Sequence, residues 1–214
     1  MKWMDMSLRE FQAALSSSSP TPGGGTAAAV ALGQAASLAV MVCDLTLNSE
    51  KWQDGWGASE EIQAVAIPLM RQSGDLAEKD SQAFDQVMEA FRLPKSSDSE
   101  IDVRRQAIRE ATLLAAEIPH QTAVAALKLL QLLPRLAASG NSNAVSDVGV
   151  AGLLASAAAK GAIFNVEINL ASLHETMGSE LRKNLPGLKE DVRIASRSIM
   201  DAVRDRMESL STYG

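Results

Sequence analysis

The sequence predicts an all-α protein, an up-and-down helical bundle with long kinked helices that forms a single domain over residues 1–214. Apolar residues make up 46% of the chain but aromatic residues only 4%. The core must therefore be built mainly from Ala, Leu, Val, Ile and Met, a palette rich in strong helix formers. No run of Val, Ile and Thr alternates with the period of two that a half-buried strand requires.

The first helix is short and has a clear start. Ser7 and Glu10 form an S-x-x-E capping box, which predicts a helix that begins at Leu8. Residues 16–25, SSSSPTPGGG, follow it as the one low-complexity stretch and are not expected to be helical.

Five longer segments have helical periodicity and are separated by stretches rich in Gly, Ser, Asn and Pro. We expect kinks at Pro68 and Pro119, and a break over 134–143 that begins at Pro134. The predicted segments are 26–47, 59–91, 100–133, 144–173 and 188–210.

Composition limits the partners and the compartment. The formal net charge is −6 and no Lys/Arg cluster is present, so neither nucleic acid nor an anionic membrane surface is an expected partner. Residues 26–43 carry no charge and could span a membrane by length, but their Ala, Gly, Ser and Gln content favours a buried core helix. The single cysteine and the absence of a secretory pattern fit the cytoplasm.

Asp80 lies on the apolar face of its predicted helix. At 100° per residue it shares that face with seven residues: Ile62, Leu69, Ser73, Leu76, Phe84, Val87 and Phe91. A carboxylate directed into a core is costly unless it is paired or used. A structural hydrogen bond or ion pair and a catalytic role remain equally open from periodicity alone.

A second polar face follows the predicted break. Counting from Asp147 places Asn143, Asn165 and Asn169 on the same side of one helix. Hydrogen bonding between close-packed helices would explain this row, as would a polar pocket, which bundles commonly build between helices.

The Pro-Thr-Pro-Gly-Gly-Gly segment, 20–25, is the third candidate feature. Its prolines stiffen the entry, and its glycines allow backbone N–H groups to meet a partly negative ligand atom at the start of the next helix. It lacks the Lys of a P-loop, and a plain flexible linker is the alternative. Two histidines and one cysteine supply no convincing zinc site, so no metal is expected.

Three blocks of sequence together resemble the cyclodeaminase domain of formiminotransferase-cyclodeaminase and the related methenyltetrahydrofolate cyclohydrolases. The blocks are 18–26 (SSPTPGGGT), 80–84 with 91–95 (DSQAF and FRLPK), and 140–147 with 165–169 (GNSNAVSD and NVEIN). The resemblance covers nearly the whole chain. The family often has Ser where Thr26 stands, and a lysine run of which only Lys51 keeps the basic character.

The resemblance implies a helical homodimer that acts on a tetrahydrofolate derivative as a formiminotetrahydrofolate cyclodeaminase. The alternatives are methenyltetrahydrofolate cyclohydrolase activity and a non-catalytic folate-binding module. Asp80 is the expected catalytic acid and base, and Asp147 the second acid or charge stabiliser. The expected substrate-binding residues are Pro20, Thr21, Pro22, Gly23, Gly24, Gly25, Lys51, Phe84, Asn141, Asn143, Asn165 and Asn169.

Overall fold

The computed structural model describes residues 2–211, and this part of the chain is all-α, as predicted. Short 3₁₀ turns lie at Trp3–Asp5, Glu50–Gly55 and Ser142–Ala144. The α-helices are α1 (Leu8–Leu15), α2 (Gly24–Leu47), α3 (Trp56–Arg92), α4 (Asp98–Ser139), α5 (Val145–Ala171) and α6 (Ser179–Ser211).

Local sequence starts two of these helices. The predicted capping box of Ser7 and Glu10 is present at α1, and Ser97 and Glu100 form a second box at α4. In each box the serine hydroxyl accepts the backbone N–H of the glutamate, and the glutamate carboxylate accepts the backbone N–H of the serine. Both helix starts thus satisfy backbone groups that a helix leaves unpaired.

Successive helices run antiparallel. The start of α2 lies against Asp80 in the second half of α3, and Asn169 near the end of α5 donates to the carbonyl of Ala115 in α4. Helices α2 to α5 surround one Ala- and Leu-rich core, and α6 packs on α4 and α5. The up-and-down bundle is therefore confirmed.

Small residues let the helices approach closely. A Cβ added at Gly152 in α5 would lie 2.7 Å from Ile199 Cγ1 in α6, well inside van der Waals contact. Most of the buried side chains of α5 are Ala, Gly or Val. This packing explains why the chain can build a core with so few aromatic residues.

Two predicted helix boundaries are wrong. Helix α4 continues through Pro134 to Ser139, and α6 begins at Ser179 rather than at 188, with Pro186 inside it. A proline inside a helix costs about 3 kcal/mol. Leu133 and Leu136 beside Pro134 are almost fully buried, as is Leu185 beside Pro186, and this packing outweighs the lost hydrogen bond.

Two helices also begin earlier than predicted. The first is α2, whose first turn contains Gly24 and Gly25, and the second is α3, which starts at Trp56 inside the expected loop over 48–57. Glycine is a poor helix former, but its cost is small in the first turn when a neighbouring side chain accepts hydrogen bonds from the unpaired N–H groups of that turn. At α2 that neighbour is Asp80, described below.

Two of the helices are long and apolar enough to cross a membrane by length and composition, Gly24–Leu47 and 142–171. About half of each apolar window is buried inside the bundle, as it would be in core helices of a globular protein. The remaining exposed face of α5 carries large apolar side chains, namely Val150, Leu153, Phe164 and Ile168.

Candidate active site

The half-buried carboxylate of Asp80 lies at the N-terminus of α2. The Thr26 hydroxyl donates to Asp80 Oδ2 at 2.9 Å, and the Thr26 backbone also hydrogen-bonds to this carboxylate. A Cβ added at Gly25 would lie 2.6 Å from Asp80 Cγ, so any side chain there would displace the carboxylate. Gly23, the residue that precedes the helix, offers no side-chain cap, and Asp80 takes that place from α3.

Electrostatics at this position work in opposite directions. Burial raises the pKa of the Asp80 carboxyl above its ordinary value, because desolvation disfavours the charged form. The side-chain and backbone hydrogen bonds from Thr26 lower the same pKa, and the positive end of the α2 dipole also favours a carboxylate. The result is a carboxyl whose pKa stays raised while its ionised form keeps specific partners, as acid–base chemistry requires.

A cavity of about 130 Å³ opens beside Asp80 between the start of α2 and the helices α3, α4 and α5. Its walls are therefore drawn from the four helices that surround the core, α2 to α5, and from the proline–glycine segment before α2. The lining residues are Pro20, Thr21, Gly23, Gly24, Gly25, Asp80, Phe84, Ala115, Asn165 and Asn169.

The two asparagines of the cavity are held by backbone carbonyls. Asn165 Nδ2 donates to the carbonyl of Gly161 at 2.9 Å, and Asn169 Nδ2 donates to that of Ala115 at 2.8 Å. Each amide thus uses one N–H to fix its side chain and keeps its oxygen and its second N–H for a ligand. Such amides suit a flat heterocycle that presents both donors and acceptors.

The proline–glycine segment is anchored to α3. Thr21 Oγ1 donates to Asp85 Oδ1 at 3.2 Å, and the Thr21–Pro22 peptide is cis. Pro22 is buried but does not line the cavity. The anion that faces the start of α2 in the structure is the chain's own Asp80, whereas the sequence had suggested a ligand atom there.

Beyond Asp80 the predicted apolar stripe of α3 opens to solvent. Residues of the stripe that precede Asp80, such as Leu69 and Leu76, are buried, but Phe84 is 39% exposed and Phe91 is 51% exposed. Periodicity gives the direction of a side chain and not the point where its neighbouring helix ends. Phe84 consequently lies at the cavity rather than in the core.

The remaining candidates lie at the opposite end of the bundle. Asp147 is half-buried in the first turn of α5, 18 residues before Asn165, and the helical rise of 1.5 Å per residue separates the two by about 27 Å. Lys51 is exposed with its Nζ 4.6 Å from the centroid of the Trp52 ring. Within one chain the structure does not bring these residues to the Asp80 cavity.

Asn141 and Asn143 belong to this distant cluster and have local partners. The Asn141 side chain accepts the backbone N–H of Asn143 at 3.0 Å, which caps the 3₁₀ turn before α5. The Asn141 backbone N–H donates to the buried Thr46 hydroxyl at 3.0 Å, which ties this turn to the end of α2. These contacts support the structural interpretation of Asn141, while the Asn143 side chain is exposed.

Sequence reasoning missed four residues around Asp80. Ala115 lines the cavity from α4, and Thr26, Ser81 and Trp3 connect to the carboxylate through hydrogen bonds. Thr26 and Ser81 adjoin the glycine segment and Asp80, so their position in the sequence was a usable signal. Trp3 is 78 residues from Ser81 in the sequence, and no sequence pattern indicated that the two residues are in contact.

Among residues 2–211, no group of three or more His, Cys, Asp or Glu side chains is arranged so that it could hold a metal ion. His120 is half-buried on α4, away from the cavity, and desolvation lowers the pKa of its imidazole. The expectation of a metal-free site stays a prediction.

Comparison with known proteins gives consistent results. The formiminotransferase-cyclodeaminase family model matches residues 7–185. A methenyltetrahydrofolate cyclohydrolase from Methylorubrum extorquens is 33% identical over 201 residues, which are 94% of this chain and 97% of that protein. The Gallus gallus formimidoyltransferase-cyclodeaminase is 31% identical over 204 residues, but these are only 37% of its length.

The fold agrees with the sequence matches. The crystal structure of formiminotetrahydrofolate cyclodeaminase from Thermotoga maritima superposes with a TM-score of 0.79 at 29% identity, and the match covers 97% of this chain and 98% of that one. Both the family model and the M. extorquens relative extend over most of this chain. The blocks that suggested the resemblance lie in or beside the Asp80 cavity, at the end of α3 and at the start of α5. This chain belongs to the formiminotransferase-cyclodeaminase family.

Proposed function

We propose that this protein is an enzyme that acts at the one-carbon bridge of tetrahydrofolate, as a formiminotetrahydrofolate cyclodeaminase, with Asp80 as its acid–base group. The observation that carries the proposal is the raised-pKa carboxyl of Asp80 in a cavity that it shares with the fixed amides of Asn165 and Asn169. The names of the relatives supply the folate substrate.

The proposed reaction needs a group that both takes and gives a proton. One folate nitrogen attacks the formimino carbon carried by the other nitrogen, and the new carbon–nitrogen bond forms as the attacking nitrogen loses its proton. Asp80 would accept that proton and pass it to the nitrogen of the protonated formimino group, which then carries three hydrogens and leaves as ammonia when its bond to the carbon breaks. The ionised carboxylate would then stabilise the cationic methenyl bridge.

Methenyltetrahydrofolate cyclohydrolase activity is the second candidate. It is favoured by the M. extorquens relative, whose similarity extends over almost the full length of both chains. Here water would attack the methenyl carbon while Asp80 takes one of its protons. Asp80 would return this proton to the folate nitrogen whose bond to that carbon breaks, and the remaining hydroxyl proton would be released as the formyl carbonyl forms. The same carboxyl and amides serve both reactions.

One experiment separates these functions. The purified protein is given formiminotetrahydrofolate and methenyltetrahydrofolate in separate reactions, and the methenyl chromophore and free ammonia are followed. We expect the chromophore and ammonia to appear together from the formimino substrate. Loss of the chromophore faster than in buffer, without activity on the formimino substrate, would identify a cyclohydrolase, and no turnover of either would leave the non-catalytic folate-binding module.

We further propose a cytoplasmic homodimer that pairs through the exposed face of α2 and α5. This face carries apolar side chains at 38–70% exposure, namely Met41, Leu45, Val150, Leu153, Phe164 and Ile168. Two adjacent helices of this length present roughly 800 Å², which is about what each partner buries in an interface of standard size. The buried free thiol of Cys43 suits a reducing compartment.

Dimerisation would also give the distant polar cluster a role. A two-fold axis that lies in this face, perpendicular to the helices, pairs α5 with its partner in antiparallel order. The end of one α5 that carries Asp147 would then meet the end of the other that carries Asn165. We propose that Asp147 acts as second acid or charge stabiliser across the interface, in the Asp80 cavity of the other subunit.

A further inference from the structure

A line of hydrogen bonds leads from the N-terminal segment to the Asp80 carboxylate. Trp3 Nε1 donates to Ser81 Oγ at 2.9 Å, Ser81 Oγ lies 2.9 Å from Thr26 Oγ1, and Thr26 Oγ1 donates to Asp80 Oδ2 at 2.9 Å. These four residues come from the first 3₁₀ turn, α3 and α2. We infer that Trp3, Ser81 and Thr26 are positioning residues that fix the orientation and the charge of Asp80.

The direction of this line follows from the chemistry of its ends. An indole N–H can only donate, so Ser81 must accept from Trp3 and has its own hydrogen available for Thr26. An ionised carboxylate can only accept, so the Thr26 hydrogen is directed to Asp80. Every donor is therefore matched when Asp80 is ionised, and the line stabilises the charged form of the carboxyl.

Burial makes these partners hard to replace. Thr26 is fully buried and Ser81 is 4% exposed, so solvent cannot readily substitute for a missing hydroxyl. A buried hydroxyl that loses its partner costs about 1–3 kcal/mol. Removing one hydroxyl or the indole N–H should therefore disturb the hydrogen bond of the next residue in the line, and through it the hydrogen bonding of the Asp80 carboxylate.

The donor at the start of the line is itself well held. The Trp3 backbone N–H donates to the Glu78 carboxylate on α3, and the Trp3 ring meets the Phe11 ring edge-to-face with centroids 6.5 Å apart. The first contact fastens the N-terminal segment to the turn of α3 that precedes Asp80, and the second holds the Trp3 ring against α1. Packing alone would explain the contact between the two rings. It would not require the indole N–H of Trp3 to be directed at the Ser81 hydroxyl.

The inference rests on the proposed function only where turnover is measured, since the charge of Asp80 can be observed directly. Three variants interrupt the line: Trp3→Phe removes its first bond, Ser81→Ala its first and second, and Thr26→Val its second and third. Thr26→Ser keeps the hydroxyl. The pKa of the Asp80 carboxyl is measured by ¹³C NMR titration, and kcat is measured against pH. The control is Ser156→Ala, which removes a buried hydroxyl pair with Ser196 (2.8 Å) between α5 and α6.

We expect Thr26→Val to raise the pKa of Asp80 and to move the acidic limb of the kcat–pH profile to higher pH. It should lower kcat about tenfold or more with little change in KM. Trp3→Phe and Ser81→Ala should also raise the pKa of Asp80, but by less than Thr26→Val does. The double variant of Trp3 and Ser81 should raise this pKa no further than Ser81→Ala alone. Thr26→Ser should titrate as the wild type does. The Ser156→Ala control should leave the titration unchanged.

An unmoved Asp80 titration in folded Thr26→Val and Trp3→Phe would overturn the inference, as would additive shifts in the double variant. Unfolding temperatures of all variants show which are folded. If the wild type turns over neither folate substrate while the titration shifts as described, the proposed function fails and the positioning of Asp80 stands.

Discussion

Gly25 and Asp80 are in direct contact: the carboxylate occupies the space that a side chain at Gly25 would need. This contact joins the two features that the sequence singled out separately, the glycine segment and the inward acid of α3. Because Gly25 has no side chain, the Asp80 carboxylate can lie directly against the first turn of α2.

Replacing Gly25 with Ala should displace the Asp80 carboxylate. The added Cβ would lie 2.6 Å from Asp80 Cγ, which is impossible without movement of one helix or of the side chain. We expect kcat/KM for the folate substrate to fall by about a hundredfold, the scale of losing an acid–base group. Steady-state kinetics and circular dichroism are measured together, so that loss of activity is separated from loss of fold.

Gly57→Ala is the matched control for this substitution. Gly57 lies in the first turn of α3, as Gly25 does in α2, but no atom beyond its chain neighbours and the adjacent helix backbone lies within 4 Å of an added Cβ. Activity should be unchanged, and stability should rise by up to about 1 kcal/mol because alanine is the better helix former. Equal activity of the two variants would show that the Asp80–Gly25 contact has no role in the site.

Asp80→Asn should change stability in a pH-dependent manner. The pKa of the Asp80 carboxyl is raised by burial, so the folded protein holds this proton more tightly than the unfolded chain does. The stabilisation that protonation gives is fully present below the unfolded pKa and is lost as the pH rises through the folded pKa. At pH 7 the wild type therefore carries the cost of a buried charge that the amide avoids.

Urea unfolding at pH 7 and at pH 4 tests this difference. We expect the advantage of Asp80→Asn in unfolding free energy to be larger at pH 7 and to shrink towards pH 4. Asp191→Asn, at an exposed position on α6, measures the general effect of removing one acid. A variant that is less stable than the wild type at pH 7 and gains on it at pH 4 would contradict the sign of the argument.

The free thiol of Cys43 should be inert in the folded protein. Its side chain is fully buried, and burial raises the pKa of the thiol to about 12, so almost no thiolate exists at neutral pH. A thiol reagent such as DTNB should react with it only after unfolding in denaturant. Rapid labelling of the native protein would mean that α2 and α3 open locally.

Mixed dimers test the proposed sharing of the site between subunits. Asp80→Asn and Asp147→Asn subunits with different affinity tags are co-expressed, and the doubly tagged species is purified. If Asp147 acts in the cavity of the other subunit, one of the two sites in each mixed dimer keeps both acids. The mixed dimer should then have about half of the wild-type activity, whereas both parent dimers are nearly inactive.

A monomeric protein in solution would refute the dimer, and a mixed dimer as inactive as its parents would refute the shared site. The corresponding control mixes Asp80→Asn subunits with wild type, which should also give about half of the wild-type activity.

The sequence predicted the parts of the site that depend on direction within one helix. Helical periodicity placed Asp80 inward, and it placed Asn165 and Asn169 on one face. It also placed Asp147 on that face, but an angular count ignores the length of the helix, so it could not show that Asp147 lies about 27 Å from Asn165. The resemblance to the family supplied the substrate, which no single residue indicated.

Other features depend on packing between distant segments and had no local signal. Pro134 looked like a helix end, and only the burial of Leu133 and Leu136 makes the continuous helix favourable. The bond from Trp3 to Ser81 joins residues that no pattern relates. Tertiary contacts of this kind override local propensity.

The most direct test of the account is the turnover of Asp80→Asn with the substrate that the wild type uses. The variant keeps the shape of the side chain and can still accept from Thr26, so its circular dichroism should match that of the wild type. We predict that kcat falls by about a hundredfold or more, because the carboxyl can no longer take or give a proton. A folded Asp80→Asn protein with wild-type turnover would contradict the account and would leave Asp80 as a helix cap.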